Sequence, residues 1–186
     1  MTMILGTAFL VASVLGLIIA SRFVFGFISR LEGYSLSEEI ITKNNSAVGI
    51  RYALFTLAVV VSFLGIIHPS GLGLKEDLNI IGQYGLMAIA LLTVSRWVND
   101  KLILYAFNNN KEVIAEKNSA VAIVEGATYL ATAFVMSGAL AGWEGGFLVS
   151  LAWFGIGQVF LILLGLIYRA CTTRGSVDAA IDGHNH

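Results

Sequence analysis

Uncharged stretches long enough to cross a membrane dominate this sequence. Five of them approach or exceed the roughly 18 residues of a typical spanning helix. They are Met3–Ser21, Tyr52–Leu74, Leu78–Ser95, Gly126–Trp143 and Gly145–Tyr168. The second contains the turn signal His68-Pro69-Ser70-Gly71, so we expect its helix to end near Ile67. Because only 12% of the residues are charged, too few for the surface of a soluble globule, the sequence predicts an all-α integral membrane protein with five transmembrane helices.

The basic residues are divided unequally between the two ends of these helices. If the helices alternate in direction, ten of the 11 Lys and Arg residues fall on one side, and Lys75 alone falls on the other. Basic loops stay in the cytoplasm, so this asymmetry predicts an external N-terminus and a cytoplasmic C-terminus. A formal net charge of -1 gives no basic excess that would indicate nucleic acid as a partner.

A junction between polar and apolar residues occurs twice in the chain, as TKNNSAVGI (42–50) and AEKNSAVAI (115–123). A constant shift of 73 residues aligns the first copy with the second, and the preceding Ser-Arg-aromatic-Val segments (21–24 and 95–98) align at a shift of 74. A third copy begins in the last stretch and stops before its second helix. We therefore expect two and a half helix-arm-helix repeats, with boundaries at 1–67, 76–142 and 145–186.

The junction has the composition of a helix start. The first amides of a helix lack internal partners, and an Asn or Ser at the N-cap satisfies them as the chain enters the bilayer. The repeated helix-start motif comprises Asn45, Ser46, Asn118 and Ser119. The arm before the first copy carries Leu36, Ile40 and Ile41 at near-helical spacing among charged residues, which predicts a short amphipathic cytoplasmic helix.

This junction, together with the Glu-Ile or Glu-Val arm before it and the Ser137–Gly142 segment (Ser-Gly-Ala-Leu-Ala-Gly) that ends the second hairpin, resembles the YjfL-like membrane proteins, domain of unknown function family 350. The likeness spans about Met3–Gly142, and Phe154–Gln158 is similar to longer members. The resemblance implies a bacterial inner (cytoplasmic) membrane protein of two-helix repeats without a settled biochemical activity. Because some members occur beside membrane-stress proteins, it also suggests such a cytoplasmic partner.

Two charges lie at similar depths in the predicted helices. Arg51 follows the Asn45 cap by six residues and Glu125 follows Asn118 by seven. An isolated charge in the bilayer costs roughly 2.5–3.5 kcal/mol on insertion scales, so a partner is expected. Three interpretations stay open for Arg51 and Glu125: a structural pair, an ion or proton pathway through Glu125, or separate snorkelling.

Other polar residues are assigned simpler roles. Arg22 and Arg96, near helix ends, are expected to snorkel or to bind lipid phosphate. Gln83 and Gln158 are expected to be buried amides that form interhelical hydrogen bonds.

Small residues recur every four positions and favour close helix packing in lipid. The packing stripe comprises Ala8, Ala12, Gly16, Ala20, Gly138 and Gly142. Five short-looped helices cannot bury every such stripe internally, so a homo-oligomer is expected.

No arrangement typical of catalysis is present in the sequence. It has no phosphate-binding Gly loop with a Lys, no HExxH and no paired Cys, so neither an enzyme nor a bound metal or cofactor is expected. The favoured function is a non-catalytic structural or membrane-stress scaffold that assembles laterally in the lipid bilayer. The alternative is an ion or proton channel or transporter with Glu125 on its pathway.

Overall fold

The computed structural model describes residues 2–66, 73–104, 108–141 and 145–172, and all regular structure in these ranges is helical. The five long helices are α1 (Thr2–Leu31), α2 (Ser46–Ser62), α3 (Leu74–Leu102), α4 (Ser119–Ala141) and α5 (Phe147–Thr172). Each is long and apolar enough over most of its length to cross a membrane. The prediction of an all-helical, multi-pass membrane protein is therefore confirmed. The predicted turn at His68–Gly71 and the end of the third copy lie outside the described residues.

The helices extend further than the uncharged stretches that predicted them. The second begins at Ser46 and the fourth at Ser119, as the helix-start motif predicts, and not at Tyr52 and Gly126, where the uncharged stretches begin. The third continues to Leu102, past the predicted end at Ser95. As a consequence, several charged side chains lie within helices and not at their ends. A helix can continue through such residues because the bundle supplies partners for the charges.

Helices α2 and α4 form the centre of the bundle. α1 packs against α2, whereas α3 and α5 pack mainly against α4. Small residues permit the central contact: Gly126 of α4 lies against Leu54 of α2, and Gly65 lies against the backbone of Ser137. A Cβ atom at either glycine would overlap its neighbour, so close helix approach explains both residues.

Two short π-helical turns precede the central helices. The first arm turn (Glu38–Thr42) leads into α2, and the second arm turn (Lys111–Ala115) leads into α4. Each is followed by a residue with positive φ, 49° at Asn44 and 53° at Lys117. A positive φ reverses the chain direction tightly, and Asn tolerates it better than most residues. The arm and its helix can therefore meet at a sharp corner.

The first arm turn differs from the predicted amphipathic helix. It is a single turn, and it buries the carboxylate-bearing Glu39 while leaving 74% of Ile41 exposed. Leu36 is buried, as the predicted apolar face requires. The difference arises because Glu39 finds hydrogen-bond donors inside the junction, so burial of this charge carries little penalty.

The packing stripe on α1 is not covered within the protomer. Ala8, Ala12 and Gly16 are exposed and Ala20 is half-buried. On α4, Gly138 is also exposed, and Gly142 lies outside the described residues. The small residues that do pack inside the chain are therefore largely different from those of the stripe.

Candidate functional site: a buried charge cluster

Arg51 and Glu125 form a completely buried ion pair between α2 and α4. Nε and Nη2 of Arg51 donate hydrogen bonds to Oε1 of Glu125, at 2.8 and 2.6 Å. Neither side chain has measurable exposure. Of the three sequence interpretations, separate snorkelling is excluded for these two residues, because neither charged group reaches the surface of the chain.

The two central helices bring this pair together because they start side by side. The hydroxyl groups of Ser46 and Ser119, at the first positions of α2 and α4, are 3.5 Å apart. From that common level, Arg51 is five residues along one helix and Glu125 is six along the other. At 1.5 Å per residue the two positions differ in depth by about 1.5 Å, well within the reach of an arginine side chain.

Arg96 of α3 also joins the cluster, at the same oxygen atom of Glu125 that Arg51 contacts. Its Nη2 atom lies 2.7 Å from Oε1 of Glu32, and its Nε atom lies 3.4 Å from Oε1 of Glu125. Only 3% of the residue is exposed. The prediction that Arg96 snorkels or binds lipid phosphate is therefore wrong. Its helix continues past Ser95 and turns this position toward two carboxylates in the bundle.

Three further members of the cluster escaped the sequence analysis. Glu32, directly after α1, accepts from Arg96 and lies 3.8 Å from Arg51. Asn110 accepts a 2.9 Å hydrogen bond from Nη1 of Arg51. Tyr129 donates a short hydrogen bond to Glu125 and accepts one from Arg96 at 2.8 Å. Only Tyr129 carried a usable signal, because it lies four residues after Glu125 and hence on the same helix face.

The cluster is electrically balanced but not fully hydrogen-bonded. Two guanidinium groups face two carboxylates, so their formal charges cancel. Oε1 of Glu125 accepts from Arg51, Arg96 and Tyr129, whereas its Oε2 atom is buried and has no hydrogen-bond partner among the described residues. A low-dielectric interior strengthens the ion pairs and makes any unpaired polar atom costly.

Tyr34, in the connection between α1 and the first arm turn, lies near this cluster. Its hydroxyl group is buried and has no hydrogen-bond partner among the described residues. Burial raises the pKa of this phenol, the charge of Arg51 opposes the shift, and the charge of Glu32 adds to it. The phenol is therefore neutral at physiological pH.

A second polar layer connects the three helices on one side of the bundle. Nε2 of Gln158 on α5 donates to Oδ1 of Asn99 on α3 at 2.6 Å, and Asn99 donates to Thr132 on α4 at 3.0 Å. The interhelical role expected of Gln158 is thus observed. Gln83 differs: it is exposed and donates to Asn79 on its own helix.

The helix-start motif has nearly the same geometry in both copies. Oδ1 of Asn45 accepts from the backbone amide of Val48 at 3.3 Å, and Oδ1 of Asn118 accepts from that of Val121 at 3.2 Å. The side-chain amide of Asn45 donates to Glu39, and that of Asn118 donates to Glu112, both at 3.2 Å. Both asparagines therefore cap a central helix and hold the preceding arm turn against it.

The first arm also contacts the second through this motif. Nδ2 of Asn45 donates to the carbonyl groups of Val113 and Ile114, at 3.1 and 3.2 Å. Nζ of Lys117 donates to the carbonyl group of Lys43 at 2.8 Å. These bonds fix the two corners, and hence the starts of α2 and α4, relative to each other.

No metal-binding group appears in the part of the chain that the structure describes. Within those residues there is no set of three or more His, Cys, Asp or Glu side chains that could hold a metal ion. Cys171 is a free, exposed thiol near the end of α5. The acidic groups of the cluster are held by arginine instead.

The fold and the site define a multi-pass helical membrane protein whose central helices are joined by a buried ion-pair cluster. The family model described as Domain of Unknown Function (DUF350) matches residues 1–140, and the chain belongs to this family. That segment contains α1 to α3, nearly all of α4 and every charged member of the cluster, whereas α5 lies beyond it. No curated protein and no solved structure matches the chain.

Proposed function

We propose that this chain is a non-catalytic structural protein of the bacterial inner membrane that assembles laterally into homo-oligomers. The observation that carries the proposal is the charge balance of the cluster, in which Arg51 and Arg96 are neutralised by Glu32 and Glu125 within one protomer. Charges that neutralise one another inside the bundle hold its helices together. Of these four charged groups only that of Glu32 is partly exposed, at 22% of its side chain, whereas a conducting protein needs ionised groups along a water-filled path.

The exposed stripe on α1 supports the lateral assembly. Ala8, Ala12 and Gly16 lie on its surface together with exposed Val11 and Leu15. In lipid, small residues on an exposed helix allow a second helix to approach closely, which replaces the missing hydrophobic driving force. The two copies of α1 would then meet across a symmetric interface.

The mass of the detergent-extracted protein tests this assembly. We expect light scattering to give a multimer for the wild type and a smaller particle for Gly16→Leu. Gly82→Leu is the matched control, because Gly82 is an exposed helical glycine with nothing within 4 Å of an added Cβ atom, as at Gly16. A monomeric wild type, or equal masses for both variants, would contradict the proposal.

We also propose that the two arm-helix segments are structural repeats related by a pseudo-twofold axis along the membrane normal. The axis would pass between Ser46 and Ser119, whose hydroxyl groups meet across a separation of 73 residues. Matching π-helical turns, positive-φ residues and Asn caps support this relation. The third, half-complete copy would correspond to α5.

The proposed orientation places both arms in the cytoplasm, where exposed Ile41 and its neighbours would be available to a membrane-stress partner. Single-cysteine labelling in a Cys171→Ala background tests it. Glu116 is a suitable position because 54% of its side chain is exposed. Impermeant reagent should leave Glu116→Cys unmodified in intact cells and should modify Lys75→Cys. The opposite pattern would invert the topology.

One observation favours the alternative function, an ion or proton pathway. Oε2 of Glu125 is buried without a hydrogen-bond partner among the described residues, and such an atom could receive a proton or a water molecule. Purified wild type and Glu125→Gln, compared in reconstituted vesicles, decide between the functions. The structural proposal predicts no specific flux from either. A reproducible flux that Glu125→Gln abolishes would establish the pathway instead.

A further inference from the structure

A cleft of about 430 Å³ lies between the C-terminal half of α1 and the chain that leads into the first arm turn. Its polar lining consists of Arg22, Arg30, Ser29, Ser35 and Ser37. The membrane-spanning part of α1 ends at Leu31, so the cleft lies in the last turns of this span. This is the level at which lipid headgroups meet a transmembrane helix.

The positive charge of the cleft has no carboxylate to neutralise it. Within the described residues, neither Arg22 nor Arg30 forms an ion pair, and no acidic side chain lines the cleft. Arg51 and Arg96, by contrast, each contact two carboxylates. An uncompensated pair of arginines beside a membrane surface favours an anionic ligand.

Arg22 is held in place for such a ligand. Its Nη2 atom donates a 2.8 Å hydrogen bond to Oγ of Ser37, and its guanidinium group lies 5.8 Å from the centre of the Tyr52 ring. These contacts leave other N–H groups of the guanidinium free of any partner among the described residues. A planar guanidinium with several available donors matches the oxygen atoms of a phosphate group.

Glycine keeps the space between the two arginines open. Gly26 lies four residues from Arg22 and four from Arg30, so the three form one row along α1. A Cβ atom at Gly26 would meet nothing within 4 Å. The row beside it carries Phe23 and Phe27, which are 74% and 63% exposed. The cleft therefore joins a polar recess to an apolar track along the helix.

We infer that this cleft binds the phosphate headgroup of an anionic phospholipid, with an acyl chain along the Phe23 and Phe27 face. The two arginines and Ser37 contact the phosphate, and the open space at Gly26 accommodates it. The apolar track distinguishes a lipid from a free phosphate ion, because an inorganic ion gains nothing from aromatic side chains. The residues that line the cleft belong neither to the charge cluster nor to the packing stripe.

Binding of a fluorescent phosphatidylglycerol to the purified full chain in neutral detergent tests the inference. A juxtamembrane basic residue is worth about fivefold in binding to anionic lipid, so Arg22→Gln/Arg30→Gln should weaken binding by about thirtyfold. The matched control is Lys101→Gln/Lys111→Gln, which removes the same charge from exposed lysines outside the cleft. The control should change binding less than threefold.

A second variant keeps both arginines and fills the cleft. Gly26→Leu should also weaken binding at least tenfold without destabilising α1, because Leu is a better helix former than Gly. Gly155→Leu, at an exposed glycine of α5 with open space around it, should have no effect. The melting temperature in detergent verifies that each variant is folded, and the Gly26→Leu result stands alone if the double arginine variant unfolds.

Competition identifies the source of the phosphate. Unlabelled phosphatidylglycerol should displace the probe, whereas phosphatidylcholine and inorganic phosphate at the same concentration should displace little of it. Displacement by inorganic phosphate as effectively as by lipid would overturn the lipid assignment in favour of a soluble anion. Equal binding by the cleft variants and their controls would overturn the site itself.

Discussion

Arg22 and Arg96 occupy the same place in two similar sequence segments, Ser-Arg-Phe-Val and Ser-Arg-Trp-Val, and have opposite environments. Arg22 is exposed, donates to Ser37 and has no carboxylate partner among the described residues. Arg96 is 3% exposed and contacts Glu32 and Glu125. The segments themselves cannot account for the difference, because their local sequences are nearly equivalent.

The difference arises from the neighbouring helix. α3 packs against α4, which carries Glu125, whereas α1 packs against α2, whose aligned position is Tyr52. Arg22 accordingly stacks on the Tyr52 ring, while Arg96 finds a carboxylate. The buried arginine thus has two carboxylates that Arg22 lacks: Glu125, at the position aligned with Tyr52, and Glu32, directly after α1.

The largest effect should come from breaking the central pair. Glu125→Gln leaves Arg51 buried beside an amide, and removing one partner of a buried ion pair costs about 3–5 kcal/mol. We expect the free energy of unfolding in detergent to fall by at least about 3 kcal/mol. Arg51→Met/Glu125→Met should recover most of this loss, because it removes both charges together.

A double-mutant cycle gives the coupling between these two residues. It requires the unfolding midpoints of the wild type, the two single Met variants and the double variant, measured in one detergent. A coupling energy near zero would show that Arg51 and Glu125 act independently, and the structural interpretation of the cluster would fail.

The comparison of the two arginines gives the next largest effect. Arg96→Gln should destabilise the protein by about 3 kcal/mol, since it leaves Glu32 and Glu125 short of a counter-ion in the bundle. Arg22→Gln should change stability by no more than about 0.5 kcal/mol, as for ordinary surface positions. Melting curves of the two variants under identical conditions provide the measurement. Equal losses of stability in the two variants would mean that the different burial of Arg22 and Arg96 does not affect stability.

The sequence predicted the helices and offered the Arg51–Glu125 pair as one of three interpretations, because both depend on patterns along one chain. Uncharged length identifies a span, and similar distances from two Asn caps, six and seven residues, place two charges at similar depths. The sequence failed to predict the burial of Arg96, because a helix predicted from an uncharged stretch ends at its first charged residue. It also failed for Glu32 and Asn110, whose roles depend on how the helix ends meet in three dimensions.

The helix-start motif should give a smaller effect that is similar in the two copies. Removing an Asn cap costs about 1 kcal/mol on average. Asn45→Ala and Asn118→Ala should each lower stability by about that amount or somewhat more, because both side chains also hold an acidic residue of the arm. The unfolding midpoints of the two variants provide the test. A large effect at one cap and none at the other would count against equivalent helix starts.

The smallest effect concerns the first arm, where Lys43 donates to Glu39 at 2.7 Å while the aligned position of the second arm is Glu116. Burial of the Glu39 carboxyl opposes its ionisation, but hydrogen bonds from Lys43 and Asn45 outweigh this, and the pKa of Glu39 lies below its ordinary value.

Because the folded-state pKa of Glu39 is the lower one, its contribution is fully present above the unfolded carboxyl pKa of about 4.3 and is lost as the pH falls through the folded value. Lys43 is half exposed, so solvent screening keeps the effect below about 1 kcal/mol. Melting of the wild type and Glu39→Gln between about pH 7 and pH 3 should show the difference between the two proteins shrinking toward the acid end. A difference that stays constant over this range would show that the charge of Glu39 contributes nothing, and that its hydrogen bonds to the junction act through geometry alone.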